Sequence, residues 1–244
     1  MAQPKTLTPQ EQRKALETYY ATEFLRKVGL SYELEPREAP DFLMRTPNGV
    51  VGLEITQLYK DERADGSPHK KLESRRVHYL RGLAATYYEM GGKPTYVTAN
   101  LSWWNLDPEL FPHLARRLIR RRPSATPAYA EFAVKTKHYL EIAKFYQWSL
   151  ADGAGSYSNW TCVNNSVGSV WPIQDKELTR KIEEKADKLP DYRKAVEQTI
   201  LLIVAEHTQE SGMFSFGERE ALLPNRGFFQ VHLFIHPLET RRIG

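Results

Sequence analysis

The sequence is most informative at Pro40–Leu58, PDFLMRTPNGVVGLEITQL. Phe42–Met44 is a short apolar run, and Val50–Leu58 is a longer β-branched and apolar run that is typical of a strand buried on both faces. Thr46–Gly49 (TPNG) lies between them and has the composition of a turn, because proline presets φ and Asn-Gly accepts positive φ. The stretch therefore predicts two short strands joined by a turn.

Two carboxylates interrupt this apolar hairpin. Asp41 opens the first strand, and Glu54 lies in the middle of the second. A buried acid is costly unless it is paired or bound to a cation, and carboxylate oxygens are ligands that suit Mg²⁺ or Mn²⁺. The pair is therefore a candidate divalent-metal site. The alternative is that Asp41 is a turn residue and Glu54 a solvent-facing residue of an edge strand.

The segments Pro40-Asp41 and Gly52–Thr56 (GLEIT) resemble the motif of the PD-(D/E)XK nuclease superfamily, which has the restriction-endonuclease-like fold. That motif is Pro-Asp, a variable gap, then Asp or Glu, any residue, and Lys. Thr56 stands where the family usually has lysine. The resemblance covers residues 11–58 and 174–236, and it implies either a lysine supplied from elsewhere or a protein without activity.

The resemblance implies an α/β fold, with a restriction-endonuclease-like core in which helices flank a central mixed sheet. It implies a single nuclease-like domain over residues 1–244, with its core at 8–58 and 174–236 and a large insertion at 60–173 after the Glu-bearing strand. The implied activity is Mg²⁺- or Mn²⁺-dependent phosphodiester hydrolysis by an endonuclease, on DNA more than on RNA, in restriction, mobile-element or antiviral defence.

Within that resemblance, Asp41 and Glu54 are the catalytic metal ligands, and the backbone carbonyl of Ile55 is a further ligand. Two rival functions stay open: a catalytically inactive nucleic-acid-binding protein of the same fold, and a structural or regulatory protein whose acid pair is satisfied by neighbours. Whether the chain forms a homodimer is also open.

A lysine occupies an unexpected position in the helix predicted from Asp175 to Leu189. Leu178, Ile182 and Leu189 form the apolar stripe of this helix, and Lys185 lies on the same stripe. Lys185 is therefore the first candidate for the missing catalytic lysine, with Lys188 as the fallback. The alternative is an amphipathic side chain that reaches solvent. The resemblance further implies nucleic-acid contacts by Lys188 and Tyr192.

The opening helix, predicted over residues 8–29 with Thr8 as its cap, carries two acids near the border of its apolar face. The first helix of the superfamily often supplies an additional acid to the metal site. Glu17 is the first choice for this metal ligand and Glu23 the second. The alternative for each is a solvated helical glutamate.

The chain is mildly basic, with a net charge of +4, and its arginines are clustered. A third helix, predicted over residues 107–122, ends in candidate nucleic-acid-binding residues: Arg116, Arg117, Arg120 and Arg121, followed by Arg122. A second basic run lies at 69–76. Such clusters suit phosphate contacts, although a solvated helix face has the same composition.

The remaining pattern predicts a helix over 72–90, a strand over 93–103, buried strands over 199–205 and 228–235, and a short helix at 216–222. Residues 134–150 fit a strand or a helix, and 153–172 fit a hairpin or a long loop. One cysteine excludes an internal disulfide, and no apolar run approaches the roughly 20 residues that span a membrane. With no signal-peptide pattern at the N-terminus, we expect a cytoplasmic protein.

Overall fold

The computed structural model describes residues 8–63, 65–101, 107–123, 129–135, 141–149, 160–163, 170–218 and 222–244. The chain has an α/β fold and divides into two compact units. The first unit comprises residues 1–62 and 169–244, and the second comprises 63–168, within the segment expected to be an insertion. Among the described residues, no helix has the length and apolar character needed to cross a membrane.

The helices and strands of the described residues follow one another along the chain. They are α1 (Pro9–Lys27), β1 (Glu33–Pro36), β2 (Phe42–Thr46), β3 (Gly49–Gln57), α2 (Pro68–Glu89), β4 (Thr95–Leu101), α3 (Phe111–Arg121), β5 (Tyr129–Lys135), β6 (Glu141–Ser149), β7 (Trp160–Val163), β8 (Trp171–Pro172), α4 (Asp175–Ala186), α5 (Leu189–Tyr192), β9 (Thr199–Glu206), β10 (Phe214–Ser215), β11 (Gln230–His236) and β12 (Glu239–Arg242). A 3-10 turn, Pro108–Leu110, precedes α3.

The first unit is built on a mixed sheet with the strand order β1-β2-β3-β9-β11-β12. β1, β2 and β3 are antiparallel neighbours, which confirms the predicted hairpin. β9 runs parallel to both β3 and β11, and β12 closes the edge antiparallel to β11. β12 is a strand that the sequence pattern did not predict.

Helices cover both faces of this sheet. α1 begins with the predicted cap, since Thr8 Oγ1 accepts from the Glu11 N–H at 3.2 Å and Glu11 Oε2 accepts from the Thr8 N–H at 2.7 Å. On one face, α1 packs against alternate residues of the sheet. One core cluster contains Tyr20 and Phe24 of α1 with Leu53 and Ile55 of β3 and Phe234 of β11. α4 and α5 cover the other face through a second cluster, which includes Leu178, Ile182, Leu189, Leu201 and Ile203.

Since successive residues of a strand point to opposite faces, the core contacts of β3 show which face of the sheet each of its side chains lies on. Leu53 and Ile55 face α1, so Glu54 and Thr56 face α4. Each fully buried aliphatic or aromatic side chain contributes about 1.5–3 kcal/mol. The two cores therefore hold β3 in a register that forces Glu54 under α4.

The second unit has its own sheet, in the order β5-β6-β4-β7, and its own core. α2, α3 and β4 correspond to the predicted helix over 72–90, helix over 107–122 and strand over 93–103. The ambiguous stretch 134–150 contains strand residues on both sides of 136–140, which lie outside the described residues. Of the stretch 153–172, the described parts form β7 and β8.

Two local predictions need correction. The helix predicted from Asp175 to Leu189 ends at Ala186, and a separate short helix, α5, begins at Leu189. Gln174 precedes α4 as its N-cap, because the Glu177 carboxylate accepts from the Gln174 N–H at 3.2 Å. The predicted helix at 216–222 is not found at 216–218 or 222, and 219–221 lie outside the described residues.

Candidate active site

The register of the β2–β3 hairpin brings the two predicted acids together. Phe42 is the partner of Leu53, so Asp41 lies opposite Glu54. The Asp41 N–H donates to Glu54 Oε2 at 3.3 Å, and the Ile55 N–H donates to Asp41 Oδ2 at 2.8 Å. Both acids are buried, Asp41 at 5% exposure and Glu54 at 4%. The structure therefore confirms that the two carboxylates are neighbours on adjacent strands.

Pro40 and Gly52 explain why the hairpin closes so tightly at this point. A Cβ atom on Gly52 would lie 2.7 Å from Pro40 Cγ and 2.9 Å from Val196 Cγ1. Real Cβ atoms do not approach other heavy atoms so closely, so this position requires glycine. The proline of Pro-Asp thus packs on the glycine of Gly-Leu-Glu, which sets the spacing between the two acids.

The two carboxylates form an electrostatically unfavourable pair. Burial, followed by the negative charge of Glu54, raises the pKa of Asp41 from its ordinary 3.8 to about 6. The Ile55 N–H opposes this rise, and so does the more distant Lys14 ammonium, 4.0 Å from Asp41 Oδ1. Buried groups perturbed in this way cluster at functional sites. The pair would be relieved by a further cation.

Lys185 reaches this pair from α4. Its Nζ lies 2.5 Å from Glu54 Oε1, and its side chain is 15% exposed. The helical stripe that contains Leu178 and Ile182 packs on the sheet, so a residue on the same stripe must point toward β3. The position predicted for Lys185 is confirmed. Lys188, the fallback, follows the end of α4 and is exposed.

Tyr192 also lies beside this site. It is 2% exposed, and its ring packs in the core beneath α5. Burial, followed by the charge of Glu54, raises the pKa of the Tyr192 hydroxyl, which has no partner at hydrogen-bond geometry. The contact of Tyr192 with nucleic acid stays a prediction.

A pocket of about 280 Å³ opens beside these residues. Ile55 and Thr56 form part of its floor, with Lys181 and Lys185 of α4 and Glu17 of α1 among its walls. Thr56 follows Glu54 on the same face of β3, which is the position of the family lysine. Lys185 thus supplies an ammonium group to the site while Thr56 supplies a hydroxyl.

The predicted helical acids have different surroundings. Glu17 accepts from Arg13 at 2.7 Å and from Lys14 at 3.3 Å, and its charge further raises the pKa of Asp41. Glu23 instead pairs with Arg26 at 2.8 Å and lines neither pocket that contains Glu17. Glu17 is therefore the acid that α1 brings toward the hairpin.

The donor set was examined for its fit to a metal ion. Within the described ranges, no group of three or more acid, histidine or cysteine side chains is arranged to hold a metal. Mg²⁺ commonly uses only one or two carboxylates and completes its shell with water and substrate phosphates. Two neighbouring buried carboxylates that repel each other fit such an ion, and Glu17 would be a further oxygen donor.

Sequence reasoning missed Lys14. Its Nζ donates to the Arg37 carbonyl at 2.6 Å and to the Asp41 carbonyl at 3.0 Å, which fixes the segment before β2 to α1. A lysine three residues before Glu17 carried no recognisable signal, because its partners are backbone carbonyls of a distant segment.

A further acid, Glu206, whose side chain is 11% exposed, was also missed. It lies at the end of β9 in what we call the Glu206 cluster: Tyr19, Tyr20, Glu206, Thr208 and His236. Glu206 Oε2 accepts from Tyr20 at 3.1 Å and lies 2.9 Å from His236 Nδ1, and Oε1 accepts from the Thr208 hydroxyl at 2.6 Å. The Tyr19 hydroxyl lies 3.1 Å from His236 Nε2. The residues come from three distant segments, so no local pattern indicated them.

The predicted arginine cluster lies on α3, in the second unit. The Arg117 and Arg121 guanidinium groups lie over the Phe132 ring, 4.5 and 5.8 Å from its centroid. Burial and the neighbouring arginines lower the pKa of Arg117. Arg116 and Arg120 are exposed. Nucleic-acid binding by these four arginines and by Lys188 stays a prediction.

Comparison of the chain with family models, with curated proteins and with solved structures gives no match.

Proposed function

We propose that this chain is a divalent-metal-dependent nuclease that hydrolyses phosphodiester bonds of DNA. The observation that carries the proposal is the buried contact between Asp41 and Glu54, with Lys185 Nζ at 2.5 Å from Glu54. Further support comes from the first unit, in which α1, β1, β2 and β3 are followed, after the second unit and the short strand β8, by α4, the short helix α5 and β9. Apart from β8 and α5, this is the order of the restriction-endonuclease-like core: helix, three strands, helix, strand.

Asp41 and Glu54 are the residues that would hold the cation, with the Ile55 carbonyl and Glu17 as further oxygen donors. A bound Mg²⁺ or Mn²⁺ supplies Lewis-acid chemistry, polarising the phosphate and lowering the pKa of a coordinated water. The protein contributes a site that is shielded from solvent, because both acids are buried. Asp41 must lose its proton to act as a ligand, which its pKa of about 6 permits at neutral pH.

Lys185 has the second role. An ammonium group beside the attacking water orients it and stabilises the negative charge that develops on the phosphate oxygens. This role requires Lys185 to turn from Glu54 toward the substrate once Glu54 has a cation as its partner. Thr56 lines the same pocket, where its hydroxyl would hold a water.

The test is cleavage of supercoiled and linear DNA by the purified protein with Mg²⁺, with Mn²⁺ and with EDTA. We expect cleavage only with the metals, and loss of cleavage in Asp41→Asn and Glu54→Gln. Glu23→Gln is the matched control, because it neutralises an acid on α1 that pairs with Arg26 outside the site. DNA binding in a gel shift without cleavage under any metal would favour the rival function, an inactive nucleic-acid-binding protein in which Thr56 marks the loss of activity.

A further inference from the structure

A second lysine of α4 is buried in the same pocket. Lys181 precedes Lys185 by one helical turn, and its side chain is only 8% exposed. Both ammonium groups border the pocket floored by Ile55 and Thr56. Four residues of α-helix span about 6 Å, so the two cations form a short column along α4. The column begins at Glu54 and leads away from the acid pair.

Each of the two lysines has one close acidic partner within 2.7 Å. Lys185 contacts Glu54, and Lys181 Nζ lies 2.7 Å from Glu62 Oε1 and 3.7 Å from Glu184 Oε2. Glu62 has a further partner in Arg180, at 3.4 Å. Glu62 follows β3 and also borders the pocket, so an ion pair stands beside the candidate catalytic pair.

The Lys181–Glu62 ion pair is poorly explained by a contribution to the stability of the fold. A largely buried pair contributes little net stability, because desolvation of both charges offsets their attraction. An apolar residue at 181 would continue the stripe of Leu178 and Ile182 without that cost. A lysine that lines a pocket and pairs with an acid there is instead suited to bind an anion, which would replace the acid as its partner.

We propose that Lys181 binds the phosphate adjacent to the scissile one, and that Glu62 is its partner only while the pocket holds no nucleic acid. The proposal rests on the proposed function, which puts the scissile phosphate at Asp41, Glu54 and Lys185. The substrate strand then runs along α4, with neighbouring phosphates at Lys185 and Lys181. Glu62 competes with that phosphate for Lys181 and repels it.

Two opposite substitutions separate this role from a structural ion pair. Lys181→Met removes a phosphate contact and should weaken DNA binding about tenfold, with the slope of log K against log salt reduced in magnitude by about 1. Glu62→Gln removes the competitor and should tighten binding severalfold. A merely structural pair predicts that both substitutions lower the melting temperature and that neither tightens binding.

The experiment is fluorescence anisotropy of a short labelled DNA duplex, and of one of its single strands, titrated with protein in EDTA and in Ca²⁺ over a series of salt concentrations. Lys176→Met is the matched control, since it removes the same charge from an exposed position of α4. Lys181→Arg should retain binding and the salt slope. The double variant Glu62→Gln/Lys181→Met leaves no unpaired buried charge, so it keeps the test valid where Lys181→Met does not fold.

The outcomes distinguish this inference from the proposed function. Lys181→Met binding that equals Lys176→Met binding, in a protein that cleaves DNA, overturns the phosphate role and leaves the nuclease standing. Binding that depends on Lys181 in a protein without cleavage overturns the nuclease and supports the phosphate role. A wild-type protein that neither binds nor cleaves DNA overturns both. A loss of binding in Glu62→Gln equal to that in Lys181→Met overturns the inference alone.

Discussion

The first unit buries carboxylates in two places, and they are held in contrasting ways. Glu206 has hydroxyl and imidazole partners on both of its oxygens, contributed by Tyr20, Thr208 and His236. Asp41 faces another carboxylate, that of Glu54, and accepts one close hydrogen bond, from the Ile55 N–H. Both sites lie at the sheet, within the same compact unit.

The difference shows what each site is suited to do. An acid with hydrogen-bond partners on both oxygens stabilises the fold, because its desolvation is offset within the protein. A buried acid beside a second acid is stabilised fully only by an added cation. The raised pKa of Asp41 reflects this unfavourable burial and repulsion of its charge. The Glu206 carboxylate therefore has its partners within the protein, whereas the Asp41–Glu54 pair would gain stability from a bound cation.

The largest effect is expected for Glu54→Ala. The substitution removes a candidate metal ligand, so it should lower the metal-dependent cleavage rate by more than the roughly 10–100-fold that loss of an outer hydrogen-bond partner causes. Single-turnover cleavage with Mg²⁺ measures this, and circular dichroism checks that the fold is retained. A variant that cleaves at the wild-type rate would exclude Glu54 as a ligand.

Lys185→Met should have the next largest effect, and it tests the site from the helix side. In the proposed mechanism its ammonium group acts on the attacking water and on the developing charge, so we expect a rate about 100-fold lower at saturating DNA. DNA affinity should change far less, since the role is exerted in the transition state. Lys176→Met, at an exposed position of the same helix, is the control and should cleave DNA as the wild type does. Equal losses in both variants would remove Lys185 from the mechanism.

Asp41→Asn should stabilise the metal-free protein. Because the pKa of Asp41 rises from 3.8 to about 6 on folding, the folded state binds more protons than the unfolded chain between those pH values. The Asp41 contribution to stability is therefore greatest below pH 4 and is lost as pH rises through about 6. At about 1.4 kcal/mol per pH unit, Asn should gain up to about 3 kcal/mol at pH 7.

Urea unfolding at several pH values in EDTA measures this gain. The difference in unfolding free energy between Asp41→Asn and wild type should shrink as the pH falls below about 6 and should disappear near pH 3. A difference that is constant with pH would mean that the carboxylate repulsion is absent.

Glu206→Gln is the matched carboxylate-to-amide change at the other site, and its sign should be opposite. An amide sets an NH₂ group against donors of Thr208 or of Tyr20 and His236, so the free energy of unfolding should fall by about 1–2 kcal/mol. The same urea titration at pH 7 measures it. Stabilisation by Glu206→Gln would show that the two acids are not held differently and would remove the contrast.

Much of the candidate site was predictable because its information is local. The turn residues fix the hairpin, strand alternation puts Glu54 and Thr56 on one face, and helical spacing puts Lys185 on the buried stripe of α4. Gly52 and Pro40 belong to the same short stretch that the resemblance uses. What lay outside local spacing was missed: Lys14, Lys181 with its partner Glu62, and the Glu206 cluster.

Tyr192 shows the limit of inference from helix position. The sequence located it just beyond the stripe of the helix but did not reveal that the helix stops at Ala186 and restarts as α5. That break turns the ring into the core, where its hydroxyl lies beside Glu54. This change of chain direction makes Tyr192 a buried neighbour of the acid pair, where helix position alone predicted an exposed residue.

The sequence by itself determined the α/β class, the hairpin and the identity of the two acids and the stripe lysine, because periodicity and turn chemistry act over a few residues. Only the tertiary structure decided which distant charges meet: Lys185 with Glu54, Lys181 with Glu62, and His236 with Glu206. The physical reason is that these pairs form when α4 packs on the sheet and when β9 and β11 pair within it, in a strand order that joins β3 to β9 and β9 to β11. Long-range packing, and not local spacing, sets the distances at which charges interact.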